Sequence, residues 1–336
     1  MPDSLEFSRK SVLVLGASGF IGTRLVAALS AGTGYHPIAA SRRPQPGGLV
    51  LDATDPTAMR AAMRGVDRVV NCIAGSNRAM VRSTQAMCDA ARGSPPGRIV
   101  HLSSMAVYGA AVGLVREDHP AVAPVNGYGQ AKRACEQIIR NYGHDGGDAV
   151  LLRPTCVFGP GSTQWTTRLA RLLEARRIGD LGPSGDGCCN LAFIDDVVTA
   201  IIRALDAPCV AGQVFNVSSS AELTWNEFLV RFARDLGATP VRRIAPRMLK
   251  LETRLLAPVR KIAGKALRTP ATEAITPSLA ALWAQDIRID SSAAVKTLAM
   301  PRTPPDQMIA AAVQWLRDGS ATASRTASAF MEPVRS

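Results

Sequence analysis

Three observations predict an α/β fold built as a doubly wound parallel sheet with a smaller, interleaved lobe. Apolar strand-like runs alternate with helical stretches from Ser11 to Arg153, the pattern that parallel βαβ units with right-handed crossovers produce. The first run, Ser11-Val12-Leu13-Val14-Leu15, leads directly into the glycine-spaced turn Gly16-Ala17-Ser18-Gly19-Phe20-Ile21-Gly22. After Pro160 the alternation loosens, as expected where a second lobe is inserted between returning strands. A chain of 336 residues can bury a core of that size.

The glycine turn sits at the carboxyl edge of the expected sheet. Gly16 permits the tight turn, Gly19 lets the backbone approach a pyrophosphate, and Gly22 lets helix and strand pack closely. Ser18, Phe20 and Ile21 lie where the following helix turns its free N–H groups and positive dipole end toward phosphate. The turn therefore predicts a Rossmann-type dinucleotide site. The second strand, His36 to Ala40, ends in Ser41-Arg42-Arg43. An NAD site usually carries an acid here for the ribose hydroxyls, whereas two guanidiniums suit a 2′-phosphate. NADP(H) is accordingly favoured over NAD(H). Asp52, ending the third run, is placed to touch the adenine edge or to cap the next helix.

Tyr128 and Lys132 are four residues apart and share one face of an expected helix led by Asn126. A lysine ammonium beside the nicotinamide favours tyrosinate, which brings a phenol into a working range for proton transfer. Ser104 follows the strand-like run Arg98 to Ser103 and would hold the substrate oxygen against Tyr128. The set predicts hydride chemistry at a carbon bearing oxygen.

At these residues the chain resembles the extended short-chain dehydrogenase/reductase family, also called the NAD-dependent epimerase/dehydratase family, from about Ser11 to about Leu298. Further landmarks are Val69 to Gly75, Ser103 to Gly109, Leu151 to Gly161, Phe193 to Val198 and Phe215 to Val217. The resemblance implies that Tyr128, Lys132 and Ser104 are catalytic and that Ala74 and Pro154 join the cofactor site. Three departures narrow the reaction. Dehydratases of the family carry an Asp-Glu pair where Met105 and Ala106 stand, so dehydration is not expected. Nucleotide-sugar members commonly carry Asn at the position of Cys156 and often Arg near Cys189, which weakens a sugar nucleotide as substrate. The Leu151-Leu152-Arg153-Pro154 run looks more like members acting on steroid, lipid or other apolar alcohols.

Along the chain, residues 10–160 read as the dinucleotide-binding core, with 190–219 returning to it. Residues 161–189 and 220–300 read as the substrate lobe, and 318–336 as a mobile tail rich in Ser, Ala and Thr. Within the lobe, Thr166 to Ile178 reads as a helix, Gly179 to Gly187 as a glycine-rich loop bordering the cleft, and Thr224 as the cap of a helix Trp225 to Leu236.

Composition bounds the partners. Hydrophobic content of 47% with 20% charged residues is that of a globular enzyme, and no secretory signal or apolar run of spanning length is visible, so a cytoplasmic protein is expected. Seven cysteines lack Cys-x-x-Cys spacing and read as reduced thiols; no metal site is expected. Net charge is +12, and residues 241–268 hold nine basic residues against one acid, Glu252, interleaved with apolar ones. That stretch is either a solvated helix of the lobe or a contact for a membrane surface or an anionic substrate. It lacks interleaved aromatics, so nucleic acid is not an expected partner. A small-molecule substrate is expected, and a homodimer is compatible with the chain.

The leading expectation is an NADP(H)-dependent oxidoreductase interconverting a secondary alcohol and a carbonyl. The alternatives are an NAD-dependent nucleotide-sugar epimerase with transient oxidation, and a non-catalytic cofactor-binding protein.

Overall fold

The structure is a computed structural model that describes residues 9–32, 34–120, 122–123, 126–220, 222–253 and 275–329. Among the described residues eleven strands are placed in chain order: β1 (Lys10–Leu15), β2 (Tyr35–Ser41), β3 (Leu49–Val50), β4 (Arg68–Asn71), β5 (Arg98–Leu102), β6 (Gly113–Val115), β7 (Ala149–Pro154), β8 (Cys156–Phe158), β9 (Leu191–Phe193), β10 (Val214–Val217) and β11 (Ile287–Ile289). Seven of them form one sheet in the order β10-β7-β5-β4-β1-β2-β3, with every pairing parallel. Chain order reverses beside β1, whose Leu15 lies in register with Ala40 of β2 on one side and Asn71 of β4 on the other.

The central strands read as near-continuous apolar runs because helices cover both faces of a parallel sheet. Val12 to Leu15 are buried, as is every residue of β5. The helices are α1 (Phe20–Ser30), α2 (Pro56–Met63), α3 (Asn77–Gly93), α4 (Gly127–His144), α5 (Arg168–Glu174), α6 (Ile194–Asp206), α7 (Trp225–Leu236) and α8 (Pro246–Leu251), followed by helices at Pro277–Ala284, Ser292–Leu298 and Pro305–Ala329. Side-chain caps explain where several begin: Asp55 for α2, Ser76 for α3, Asn126 for α4. Thr224 caps α7 within a full capping box closed by Glu227, and Gly237 ends it at φ 81°.

The chain divides into two compact units. The first comprises Met1–Thr155, Ile194–Ser218 and Ile289–Arg302; the second comprises Cys156–Phe193, Ser219–Arg288 and Thr303–Ser336. The chain leaves the sheet unit at Thr155, earlier than residue 160, because β8 pairs with β9 inside the second unit. The segment 289–302, expected in the lobe, belongs to the sheet unit, where Ser291 Oγ donates to Ser218 O at 2.8 Å.

The second unit corrects one further expectation. Helix α5 spans Arg168–Glu174, shorter than Thr166 to Ile178, after a wide turn at Thr163–Thr167. The last helix runs over Pro305–Ala329. In the glycine-rich loop, a Cβ on Gly179, Gly185 or Gly187 would lie 2.3–2.4 Å from Arg242 O, Asn226 Oδ1 or Trp283 O. Close packing within the unit therefore accounts for these glycines.

Candidate active site

In an open parallel sheet, ligands bind beyond the carboxyl ends of the strands where chain order reverses. The chain leaves β1 there through Gly16 at φ +82°, a conformation open to glycine, and the N–H groups of Gly16 and Ala17 both donate to Ala40 O. A Cβ on Gly16 would stand 3.1 Å from the backbone of Cys72 and Ile73. On Gly22 it would stand 2.3 Å from Gly16 O, so helix and strand approach too closely for any side chain. Gly19 is the N-cap of α1 with no side-chain cap bond, which leaves the first amides of the helix for an external acceptor. A bare backbone turn facing a positive helix end fits the pyrophosphate of a dinucleotide. Ser18 is exposed on this turn, and Phe20 and Ile21 are half-buried.

Beyond β2, the Ser41 hydroxyl is buried and donates to Arg43 O at 2.6 Å, so it shapes the turn from within. Arg42 and Arg43 are exposed on that turn. Asp52 does not cap α2; Asp55 does. The Asp52 carboxylate instead accepts from Thr54 N at 2.9 Å and Thr54 Oγ1 at 2.8 Å, and those bonds, with help from Arg42 and Arg82, hold it below the usual carboxylate range. Ala74 is exposed three residues past β4, where Asn71 Oδ1 accepts from Ile73 N at 3.0 Å. Pro154 ends β7 in register with Val217.

Tyr128 and Lys132 share the first turns of α4, and the Lys132 ammonium lies 5.9 Å from the Tyr128 ring centroid. Tyr128 is 39% exposed, whereas Lys132 is buried and donates to Leu102 O at 2.7 Å. Burial pushes the Lys132 ammonium below the ordinary lysine range. Ser104 lies two residues past Leu102 and accepts from Ala106 N at 3.2 Å, capping the 3₁₀ turn Met105–Tyr108. With an Oγ lone pair so engaged, its own proton is free to be donated.

Sequence reasoning missed the polar assembly beneath these residues. Arg153 grips Glu136 through Nε to Oε1 at 2.8 Å and Nη2 to Oε2 at 2.7 Å, both side chains buried. Ser103 Oγ donates to Glu136 Oε1 at 2.6 Å, Arg153 Nη1 donates to Tyr108 Oη at 2.8 Å, and Tyr108 Oη donates to Asn216 Oδ1 at 2.6 Å. The signals were one arginine in an apolar strand and an acid one helical turn past Lys132. Burial pushes the Glu136 carboxyl up, but the Arg153 bonds and charge and the Ser103 hydroxyl outweigh it and leave it below the usual range. Arg153 thus has a structural occupation, whatever substrate the neighbouring run suggested.

Burial pushes the Cys156 and Cys189 thiols far up, which suits inert side chains rather than nucleophiles. Among the described residues no group of three or more His, Cys, Asp or Glu could hold a metal, and no helix is long and apolar enough to cross a membrane. Of the basic stretch 241–268, only residues 241–253 are described: Arg247 and Lys250 stand exposed on α8 beside exposed Met248 and Leu251, and the rest lies outside the described residues.

Residues 12–218 match the model of the NAD dependent epimerase/dehydratase family. A UDP-glucose 4-epimerase of Vibrio cholerae is 26% identical over 246 residues, covering 67% of this chain and 75% of the relative. A dTDP-4-keto-6-deoxy-D-glucose reductase of Streptomyces niveus is 27% identical over 252 residues, covering 68% and 80%. Among solved structures, UDP-glucuronic acid 4-epimerase from Bacillus cereus in complex with NAD superposes with a TM-score of 0.71 at 19% identity, covering 92% of this chain and 99% of that one.

Proposed function

The chain belongs to the NAD-dependent epimerase/dehydratase family, in its extended short-chain dehydrogenase/reductase form, and on that premise we propose that it interconverts a secondary alcohol and a carbonyl with NADP(H). The observation that carries this reading is the buried Lys132 ammonium, which lies beside the Tyr128 ring and donates to Leu102 O at the end of β5, two residues before Ser104.

The turn Gly16 to Gly22 and the start of α1 would hold the pyrophosphate, Arg42 and Arg43 the 2′-phosphate, and Asp52 the adenine edge. Ala74 and Pro154 would border the nicotinamide half. The bound dinucleotide supplies a hydride donor or acceptor. Lys132 orients the nicotinamide ribose and, as an ammonium, favours the tyrosinate form of Tyr128. Tyr128 then takes a proton from a substrate hydroxyl, or returns one to a carbonyl oxygen, while Ser104 donates a hydrogen bond to that oxygen. No acid/base pair follows Ser104, since Met105 and Ala106 occupy those positions, so elimination of water is not part of the reading.

A nucleotide-sugar epimerase using NAD is the second reading, and the Vibrio cholerae relative favours it. A reductase consumes cofactor stoichiometrically, whereas an epimerase returns the hydride and leaves nicotinamide absorbance unchanged. Mass spectrometry of small molecules carried through native purification identifies cofactor and candidate substrate; turnover of that substrate is then followed by nicotinamide absorbance. Net NADPH consumption, abolished by Tyr128→Phe with cofactor binding retained, is the expected result. Conversion without absorbance change would establish the epimerase, and unchanged turnover in Tyr128→Phe would overturn the mechanism.

A further inference from the structure

Two side chains one helical turn apart on α4 grip two consecutive residues at the end of β5. Lys132 Nζ donates to Leu102 O at 2.7 Å, and Glu136 Oε1 accepts from Ser103 Oγ at 2.6 Å. Ser104 is the next residue along. We propose that Glu136, clamped by Arg153, is a positioning residue that holds Lys132 and Ser104 in register with one another; this rests on the role proposed above for those two.

The clamp reaches the segments that carry Tyr128, Lys132 and Ser104. Arg153 belongs to β7 and binds both oxygens of Glu136, which fixes the rotation of α4 at the turn after Lys132. Its Nη1 also donates to Glu117 O at 3.0 Å, on the loop that leads into α4, and Glu117 Oε1 accepts from Asn216 N at 2.8 Å. The same nitrogen donates to Tyr108 Oη, at the end of the 3₁₀ turn that Ser104 caps. One guanidinium thus contacts the loop before Tyr128, the helix bearing Lys132 and the turn after Ser104.

Stability alone is a poor account of this assembly. Removing two charges from water costs several kcal/mol per ion, and well-packed apolar residues of similar volume often do as well or better. What an apolar pair lacks is direction. Bidentate carboxylate–guanidinium geometry sets orientation as well as distance, and the third partner, Ser103, adjoins the residue that must meet the substrate oxygen. Glu136 also adds a carboxylate charge that supports the Lys132 ammonium against its burial.

Dinucleotide binding tests the proposal without a substrate. NADPH carries the nicotinamide half that Lys132 would orient, whereas 2′,5′-ADP carries only the adenine half. Affinities for both are measured for the full chain and for Glu136→Gln, Glu136→Asp, Lys132→Met and Glu136→Gln/Arg153→Met. The double variant leaves neither partner of the Glu136–Arg153 pair as an unpaired charge and keeps the test open if Glu136→Gln fails to fold. NADH with ADP replaces the pair if NADH proves the tighter cofactor. Glu136→Gln and the double variant are expected to weaken NADPH about tenfold with 2′,5′-ADP unchanged, and Glu136→Asp to recover part of the loss. Equal loss for both probes, or none for either, would overturn the positioning role. If Lys132→Met itself leaves the ratio of the two affinities unchanged, the role given to Lys132 fails instead.

Discussion

Lys132 Nζ donates to the carbonyl oxygen of Leu102 at 2.7 Å while the residue is only 3% exposed. A buried ammonium with that geometry is costly. Its desolvation amounts to several kcal/mol, against about 1.5–3 kcal/mol for a hydrogen bond from a charged donor. A residue kept at such cost is better explained by function than by packing.

Lys132→Met is therefore expected to leave thermal stability within about 1 kcal/mol of the parent, or to raise it, because the burial of charge is relieved. Turnover should fall by about two orders of magnitude or more, in line with loss of a group supporting proton transfer. Thermal melts beside steady-state rates check this. A large fall in Tm with residual activity would make Lys132 a structural residue.

Gly22 gives a prediction of opposite character. A Cβ there meets Gly16 O at 2.3 Å and the Ala17 Cα at 2.8 Å, so Gly22→Ala must push α1 away from β1. The expected cost is about 1–3 kcal/mol, with loss of dinucleotide binding. Gly19→Ala should be much milder for stability, since its Cβ would stand 3.2 Å from Gly16 O and its φ of −81° suits any residue, while still weakening the dinucleotide whose pyrophosphate it faces in the proposed reading. Melting curves of the two variants rank them, and equal falls in Tm would show that the approach of helix to strand is not the constraint.

The turn, α1 and the Tyr128–Lys132 pair were legible because each is written in a contiguous stretch. Apolar run, glycine spacing and an i, i+4 pair need no long-range information, and Thr224 with Glu227 states its own cap. Other features were not legible, for definable reasons. Strands β8 and β9 have three residues each, too few to carry a period, so the exit from the sheet unit was placed near residue 160. The partners of Glu136 lie 17 and 33 residues away in sequence, and nothing local distinguishes a buried carboxylate from one on the outer face of a helix. The bonds from Ser41 to Arg43 O and from Thr54 to Asp52 are equally unannounced. Short polar side chains near turns often satisfy their own backbone first.

In the proposed reading, Arg42 and Arg43 carry the preference for NADP(H). Both are exposed, and the Asp52 carboxylate beside them is held ionised by its bonds from Thr54. That acid opposes a 2′-phosphate and so lessens what the arginines contribute. Arg42→Ala/Arg43→Ala is expected to weaken NADPH by about tenfold or more, with NADH changed little. Asp52→Asn should strengthen NADPH relative to NADH. Fluorescence titrations with both cofactors decide the matter, and equal losses for both in the double variant would overturn the NADP(H) preference.

Asp206 offers a test of stability far from this chemistry. At the end of α6 it receives Tyr35 Oη at 2.7 Å, Lys10 Nζ at 2.9 Å and Arg68 Nη2 at 2.7 Å, and so ties together the amino ends of β2, β1 and β4. Burial pushes its carboxyl up, but the bonds from Tyr35, Lys10 and Arg68 outweigh that and hold it at about 2. Its folded value lies below the ordinary unfolded value of about 3.9, so the stabilisation is present above that value and is lost as pH falls toward about 2. The side chain is 41% exposed, so screening reduces the contribution to about 1 kcal/mol at neutral pH. Asp206→Asn should lower Tm at neutral pH while leaving turnover per folded molecule unchanged, because the carboxyl ends of the strands are untouched. The gap in Tm between parent and variant should narrow between about pH 4 and pH 2. A gap that stays constant across that window would show that the carboxylate charge contributes nothing to holding the strands.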